Sequence, residues 1–274
     1  MNQNLLQQQY LEAMGIQQWV PRFFDPQEAR EDIGSTAETI TESTAKVRQE
    51  PISIHASASQ PAVTVVPPAK SEKPSQEHNL QELTDLTEIN DLEQLRKIIS
   101  DCSKCQISQE RTNTVFGVGN ETADLMIIGE APGVDEDQQG EPFVGKAGQL
   151  LNKMLAAIGL RREQVFIANI LKCRPTNNRD PQKDEIAYCQ GYLNKQIEII
   201  QPKVILSVGR ISAQSLLGSE VPISKLRGQP HDYGENHIPL VATYHPAYLL
   251  RSPAEKAKAW DDLKFVRFLL SQSE

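Results

Sequence analysis

The stretch Asp124–Gly159, "DLMIIGEAPGVDEDQQGEPFVGKAGQLLNKMLAAIG", opens on a short apolar run, crosses an acidic loop and ends in a helical pattern. The apolar residues of "DLMIIG" follow one another without alternation, which suits a strand buried on both faces of a parallel sheet. In "KAGQLLNKMLAAIG", Ala147, Leu150, Leu151, Met154, Leu155 and Ile158 fall at i, i+3, i+4, i+7, i+8 and i+11, one stripe of a helix. Three further runs repeat the strand signal: "VFIAN" (165–169), "KVILSVG" (203–209) and "PLVATYH" (239–245). A second helix is expected in "DLEQLRKIIS", where Leu92, Leu95 and Ile99 share a stripe. The order is mostly βαβα, so the expectation is an α/β fold with a parallel sheet and helices on both sides.

The rest of the chain bounds this domain. With 274 residues and 39% hydrophobic content there is room for one large domain and extra segments. From Gly34 to His78 the composition is Ser, Thr, Ala, Pro, Gln and Glu, which cannot bury enough apolar surface to offset ordering. We therefore expect an N-terminal helix or docking peptide over 1–30, a disordered linker over 31–80 and the folded domain over 81–274. No run approaches the roughly 20 apolar residues of a membrane span, and "MNQNLLQQQY" lacks the regions of a signal peptide. A cytoplasmic monomer is expected. The net charge of -8 hides an asymmetry: residues 1–150 carry 11 Lys+Arg against 24 Asp+Glu, whereas residues 151–274 carry 17 against 12. Arg161, Arg162, Lys172, Arg174, Arg179 and Lys183 fall in the basic half, which could attract a polyanion or form a solvated mixed-charge surface.

In open parallel α/β sheets ligands bind beyond the carboxyl ends of the strands. Just past the four runs lie Gly129-Glu130-Ala131-Pro132-Gly133, then Asn169, then Gly209-Arg210, then His245-Pro246. If the strands are parallel, these segments converge on one rim, which is the candidate site.

The cysteines give an independent signal. Cys102 and Cys105 form a C-x2-C pair, and Cys173 and Cys189 follow far downstream. Four thiols in such a chain point to a metal or iron–sulfur site rather than to disulfides. Zinc ribbons usually bring two C-x2-C pairs, whereas a [4Fe–4S] cluster needs four thiolates without that local symmetry. Zinc stays open, as do four unrelated buried cysteines; Cys189 shares an inward helical stripe with Ile186, Leu193 and Ile197.

"GEAPGVDEDQQGEPFVGKAGQLL", "IANILKCRPTNNRDP", the four spaced cysteines and "TYHPAYLLR" together resemble the family 4 uracil-DNA glycosylases, the iron–sulfur branch of their superfamily. The resemblance runs from about Leu92 to the C-terminus. It implies a three-layer α/β/α sandwich around a mostly parallel four-stranded sheet, a [4Fe–4S] cluster on Cys102, Cys105, Cys173 and Cys189, and hydrolytic excision of uracil from DNA in base excision repair. The chain has no basic insertion after "GEPFVG" of the kind found in covalently DNA-trapping relatives, so turnover is expected.

Excision requires that a base be flipped from the stack, read along its Watson–Crick edge and stacked on a ring. Asn169 suits the first reading task, because an amide can accept from uracil N3–H and donate to O4, a pattern that cytosine reverses. Phe143 suits the second. Cleavage leaves negative charge on uracil, and His245 is the candidate donor to O2, as a neutral imidazole. Better-known family 1 enzymes carry an aspartate where this chain has Ala131. The resemblance assigns Glu130 and the backbone at Ala131 to the uracil and water site, and Glu136 to the space a thymine methyl would need. Asp135, Asp137 and Glu141 are read as a solvated loop surface. For DNA, Leu249 or Leu250 is the expected wedge, Arg251 a phosphate contact, and Gly209 and Arg210 a further phosphate contact; a short helix packed on the core is the other reading of the leucines. The cluster is expected to order the basic loop "RPTNNRDPQKDE".

The N-terminal "LLQQQYLEAMGIQQWVPR" faintly resembles the start of the psi subunit of the bacterial polymerase III clamp-loader assembly. A replication or clamp-loader partner is one reading, a helix packed on the catalytic domain the other. A non-catalytic iron–sulfur DNA-binding module associated with replication is the rival to the enzyme. A phosphate loop at "GEAPG" is disfavoured, since it lacks Gly-Lys-Ser/Thr and its acids would repel phosphate.

Overall fold

The computed structural model describes residues 86–272. The expected N-terminal peptide and linker lie outside the described residues. Six strands form one sheet: β1 (Val118–Gly119), β2 (Leu125–Gly129), β3 (Phe166–Asn169), β4 (Val204–Val208), β5 (Pro230–Tyr233) and β6 (Ile238–Thr243). The helices are α1 (Leu92–Ser100), α2 (Val134–Gln139), α3 (Lys146–Ala157), α4 (Lys183–Ile200), α5 (Arg210–Leu217), α6 (Ile223–Leu226), α7 (Pro246–Arg251) and α8 (Lys256–Gln272).

Strand order is β1-β3-β2-β4-β6-β5. The four central strands are the four apolar runs, and all are parallel. The sheet nevertheless has six strands, not the expected four, because antiparallel strands close both edges. Neither edge carries an apolar run: β1 has only two residues, and β5, "PHDY", alternates between half-buried and exposed. His231 lies in β5, and the β5–β6 hairpin turns at Gly234 and His237, both at positive φ.

The period of two along each strand divides the core into two layers. Leu125, Ile127, Val204 and Leu206 face α3, α7 and α8. Met126, Ile128, Phe166 and Ile205 face α1 and α4. This is the three-layer α/β/α sandwich. Burial on both faces explains why the central strands read as unbroken apolar runs.

Two buried polar networks lock helices to the sheet. Ser207 Oγ donates to Ser212 Oγ at 2.9 Å, and Ser212 Oγ donates to the carbonyl of Ile128 at 2.6 Å, joining β4, α5 and β2. On the other side Asp262 of α8, fully buried, accepts from Thr243 Oγ1 at 2.7 Å, from Arg227 Nε at 3.0 Å and from Arg227 Nη2 at 2.8 Å. A buried charge left without its partner is costly. Asp262→Ala should therefore lower unfolding free energy by about 3 to 5 kcal/mol, read as an earlier midpoint in urea; a midpoint within error of wild type would show that the network adds no stability.

Candidate active site

Parallel register brings Gly129 opposite Asn169, and Val208 opposite Thr243, so the ends of β2, β3, β4 and β6 meet on one rim. A cavity of about 490 Å³ opens there. Glu130, Ala131, Glu136, Phe143, Asn169 and His245 line it, with Asp180, Tyr248 and Arg251 at its other walls.

Its floor is built on a close approach. A Cβ at Gly129 would stand 2.4 Å from Asn169 Oδ1 and 2.7 Å from Phe143 Cζ, so only glycine fits. A Cβ at Gly148 would stand 1.7 Å from the carbonyl oxygen of Phe143, so α3 also needs glycine to receive the loop. Phe143 itself adopts φ 53°, in the left-handed region that a bulky residue enters only when its surroundings hold it. The Glu136 carboxylate accepts from the backbone N–H groups of Gly133 (3.1 Å), Val144 (3.1 Å) and Gly145 (3.4 Å), tying both ends of the acidic loop together.

His245 caps α7: its Nδ1 accepts from Ala247 N–H at 3.1 Å. That bond leaves the neutral ring's proton on Nε2, the donor nitrogen. Burial, with Arg251 adding to it, lowers the imidazole pKa to about 4, so the ring is neutral at physiological pH. It stacks on Phe143 at 5.6 Å between centroids. Glu130 is displaced the other way: burial and the neighbouring Asp180 carboxylate raise its pKa to about 7, opposed by Arg210. Asn169 is 2% exposed, and its Oδ1 is a buried oxygen with no hydrogen-bond partner among the described residues. An unmade bond of that kind costs stability unless a ligand completes it.

The remaining residues expected at the site separate clearly. Arg251 lines the cavity. Gly209 and Arg210 stand behind it: a Cβ at Gly209 would meet His245 Cβ at 3.2 Å, and Arg210 Nη2 donates to Asp180 Oδ2 at 2.7 Å. Leu249, one of the two expected wedges, is 1% exposed and packs in the core, while Leu250 turns outward at 44%. Adjacent helical positions point about 100° apart, so one short helix cannot present both leucines. Asp137 is not a solvated loop charge: it is buried, accepting from the N–H groups of Thr112 (2.9 Å) and Asn113 (3.3 Å). Lys172 is not a surface cation either: fully buried, it donates to the Asn169 carbonyl at 2.9 Å and to Gln196 Oε1 at 2.6 Å. Asp180 and Tyr248 join the site without any sequence signal to mark them. Asp180 reaches the rim through its ion pair with Arg210, 30 residues away, a tertiary contact with no local pattern.

The four cysteines are free thiols, with Cys173 and Cys189 buried and Cys102 and Cys105 half-buried. All four belong to the core layer of α1 and α4. Arg111 Nη1 donates to Cys173 Sγ at 3.2 Å. Burial raises the Cys189 thiol to about 12, a shift opposed by Lys172. Among the described residues no group of three or more His, Cys, Asp or Glu side chains is spaced to hold a single metal ion.

An open cavity lined by charged, polar and aromatic side chains at the carboxyl ends of a parallel sheet is the arrangement of an α/β enzyme. The family model of the uracil-DNA glycosylase superfamily matches residues 116–264, more than half of the chain, and the chain belongs to that superfamily. It is 45% identical over 186 residues to the type-4 uracil-DNA glycosylase of Archaeoglobus fulgidus, covering 65% of this chain and 92% of that protein. Against the type-4 enzyme of Sulfurisphaera tokodaii identity is 47% over 178 residues (62% and 81%), and against that of Thermotoga maritima 44% over 163 residues (58% and 83%). No described helix is long and apolar enough to cross a membrane.

The raised Glu130 pKa has a sign that can be measured. Below the ordinary carboxylate pKa of 4.5 both folded and unfolded chains hold the proton. Between 4.5 and about 7 the unfolded chain releases it while the folded chain retains it, so stability falls as pH rises through that window. Glu130→Gln should remove this part of the slope in denaturation curves taken from pH 4.5 to 8; an unchanged slope would place Glu130 in a solvated setting.

Proposed function

We propose that this chain is a uracil-DNA glycosylase, which flips uracil into the cavity and hydrolyses its N-glycosidic bond in base excision repair. The observation that carries the reading is the orphaned Asn169 Oδ1, a buried acceptor at the end of β3 on a residue that lines the cavity. Uracil N3–H supplies the missing donor, and the amide nitrogen can donate to O4. Phe143, fixed above Gly129, provides the stacking ring. Neutral His245 donates from Nε2 to O2, where negative charge grows as the bond breaks. Glu130, near pH 7 half in its carboxylate form, is suited to orient and deprotonate the attacking water. Glu136, immobilised by three backbone donors, fills the wall beside C5 and disfavours the thymine methyl. Exposed Leu250 serves as the wedge into the vacated stack, and Arg251, which lines the cavity, as a phosphate contact; Arg210 is a second phosphate contact once released from Asp180.

The same reading assigns Cys102, Cys105, Cys173 and Cys189 to a [4Fe–4S] cluster. The donor set is of the right kind: four unpaired thiols in one layer, with Arg111 and Lys172 opposing the burial that raises the Cys173 and Cys189 thiols. When bound, the cluster supplies a four-point covalent tie between the N-terminal segment, the loop after β3 and α4.

Two experiments test these assignments. On a uracil-containing oligonucleotide, Asn169→Ala should lose most abasic-site formation, a defect on the order of 1 to 3 kcal/mol or more, with binding to undamaged DNA nearly unchanged. Asn169→Asp should shift preference towards cytosine, because an ionised carboxylate accepts from cytosine N4–H2 and cannot donate to uracil O4. Wild-type rates and preference in both variants would make Asn169 structural and misplace the pocket. Separately, purified protein should be brown and carry about four iron atoms per chain; colourless protein with one zinc would overturn the cofactor and leave the glycosylase reading standing.

A further inference from the structure

We infer that Arg162 is the positioning residue of the stacking platform, holding the Pro142–Phe143 backbone in the strained turn that lays the Phe143 ring over the end of β2. The inference rests on the reading of Phe143 as the ring on which the flipped base stacks.

Arg162 lies in the short 3-10 turn Arg162–Gln164 between α3 and β3, nineteen residues from Phe143 in sequence. Its guanidinium donates from Nη1 to the carbonyl of Phe143 at 3.3 Å and from Nη2 to the carbonyl of Pro142. A planar fork with fixed donors meets two successive carbonyls in one set geometry, whereas an ammonium on a flexible stem must be ordered around them and holds them less rigidly. These two carbonyls need holding. Phe143 has φ 53°, and a residue of its size stays in that region only where its neighbours leave no alternative. On the far side of Phe143, the N–H groups of Val144 and Gly145 are already held by Glu136, and the glycine at 148 lets the Phe143 carbonyl approach α3. Arg162 completes the grip by fixing the near side, where Pro142 has no N–H of its own to contribute.

Its charge is committed locally. Arg162 is half-buried, its guanidinium also reaches Asn152 Oδ1 at 3.4 Å, and Glu136, Glu141 and Glu163 surround it. Three carboxylates around one guanidinium would repel a DNA phosphate, so this arginine is not part of the cationic surface that its sequence neighbourhood suggests.

The consequence is a chain of contact from Arg162 through Phe143 to the reacting base. Released from the fork, Phe143 can relax out of its left-handed turn, and the ring leaves Gly129 and His245. Misplacing a positioning group by about 1 Å can cost 10²-fold in rate.

The test is a double-mutant cycle on the full chain, with single-turnover excision from a uracil oligonucleotide, inhibition by free uracil, and affinity for undamaged duplex as readouts. Phe143→Ala alone should slow excision and weaken inhibition by uracil. Arg162→Ala and Arg162→Lys should each slow excision by roughly 10- to 100-fold and weaken uracil inhibition, while leaving undamaged-DNA affinity and its salt dependence unchanged. In the Phe143→Ala background, the same Arg162 substitutions should add less than about threefold, because the platform they position is gone. If Arg162→Lys matches wild type, if the losses multiply in full, or if undamaged-DNA affinity falls with the rate, Arg162 is a phosphate contact or a general fold residue and the inference is overturned. An unimpaired Phe143→Ala would instead remove the platform reading itself. Thermal unfolding of each variant separates these outcomes from loss of fold, and the charge-preserving Arg162→Lys decides between them should the alanine variant fail to fold.

Discussion

The approach of Asn169 and Phe143 to the backbone of Gly129 sets the spacing on which the site depends. Two parallel strands placed side by side end opposite one another, and a side chain at the end of β2 would occupy the space between an amide and a ring. Glycine leaves that space open. The amide oxygen and the ring edge are thereby both held against the same backbone position, too close for any side chain to stand between them. The acidic loop that follows must then turn back to deliver Phe143, and the left-handed turn, the Glu136 knot and the glycine in α3 all serve that return.

Electrostatics reinforces this geometry by suppressing charge inside the cavity. Burial pushes His245 down to about 4 and Glu130 up to about 7, so both groups favour their neutral forms relative to water. A neutral imidazole that accepts at Nδ1 presents a donor at Nε2 without a full positive charge to attract bulk anions. Glu130 differs in lying between Asp180, which holds its proton on, and Arg210, which draws it off. These two neighbours are themselves an exposed ion pair, open to exchange with a phosphate. On the proposed reading of Arg210 as a phosphate contact, DNA that competed for it would leave Asp180 unopposed beside Glu130 and so link backbone binding to the proton state of the cavity.

Much of this was legible in the sequence, for reasons that can be named. Buried parallel strands give unbroken apolar runs, and the rule that ligands sit at strand ends converted four such runs into one rim containing Glu130, Asn169 and His245. Edge strands gave no such signal, since a two-residue β1 and a half-exposed β5 bury no continuous face. Charge proved the least reliable guide. Lys172 and Asp137 look like surface residues by type, yet both are buried because backbone groups at fixed places need a donor or acceptor there. The roles of Asp180 and Arg162 depend on partners 20 to 30 residues away, which no local pattern reveals. Leu249 and Leu250, alike in sequence, are divided by helical geometry alone.

The thiol layer lies on one face of the sheet and the cavity at its carboxyl rim, and the end of β3 joins them. Beyond Asn169 the chain keeps pairing with the loop after β2, Ile170 N–H donating to the Gly129 carbonyl at 2.9 Å and Leu171 N–H to that of Glu130 at 3.0 Å. Lys172 then folds back to hold the carbonyl of Asn169, and Gln196 of α4 anchors Lys172 while donating to the Phe116 carbonyl at 2.9 Å. Cys173 is the next residue. The segment that carries Asn169 is therefore clamped at its backbone by a lysine adjacent to one thiol and by a helix that bears another, Cys189. Ordering the thiols orders that clamp. A group held by these thiols, as proposed, would act on the cavity through the backbone alone, because the position of Asn169 is fixed by the same short run of chain.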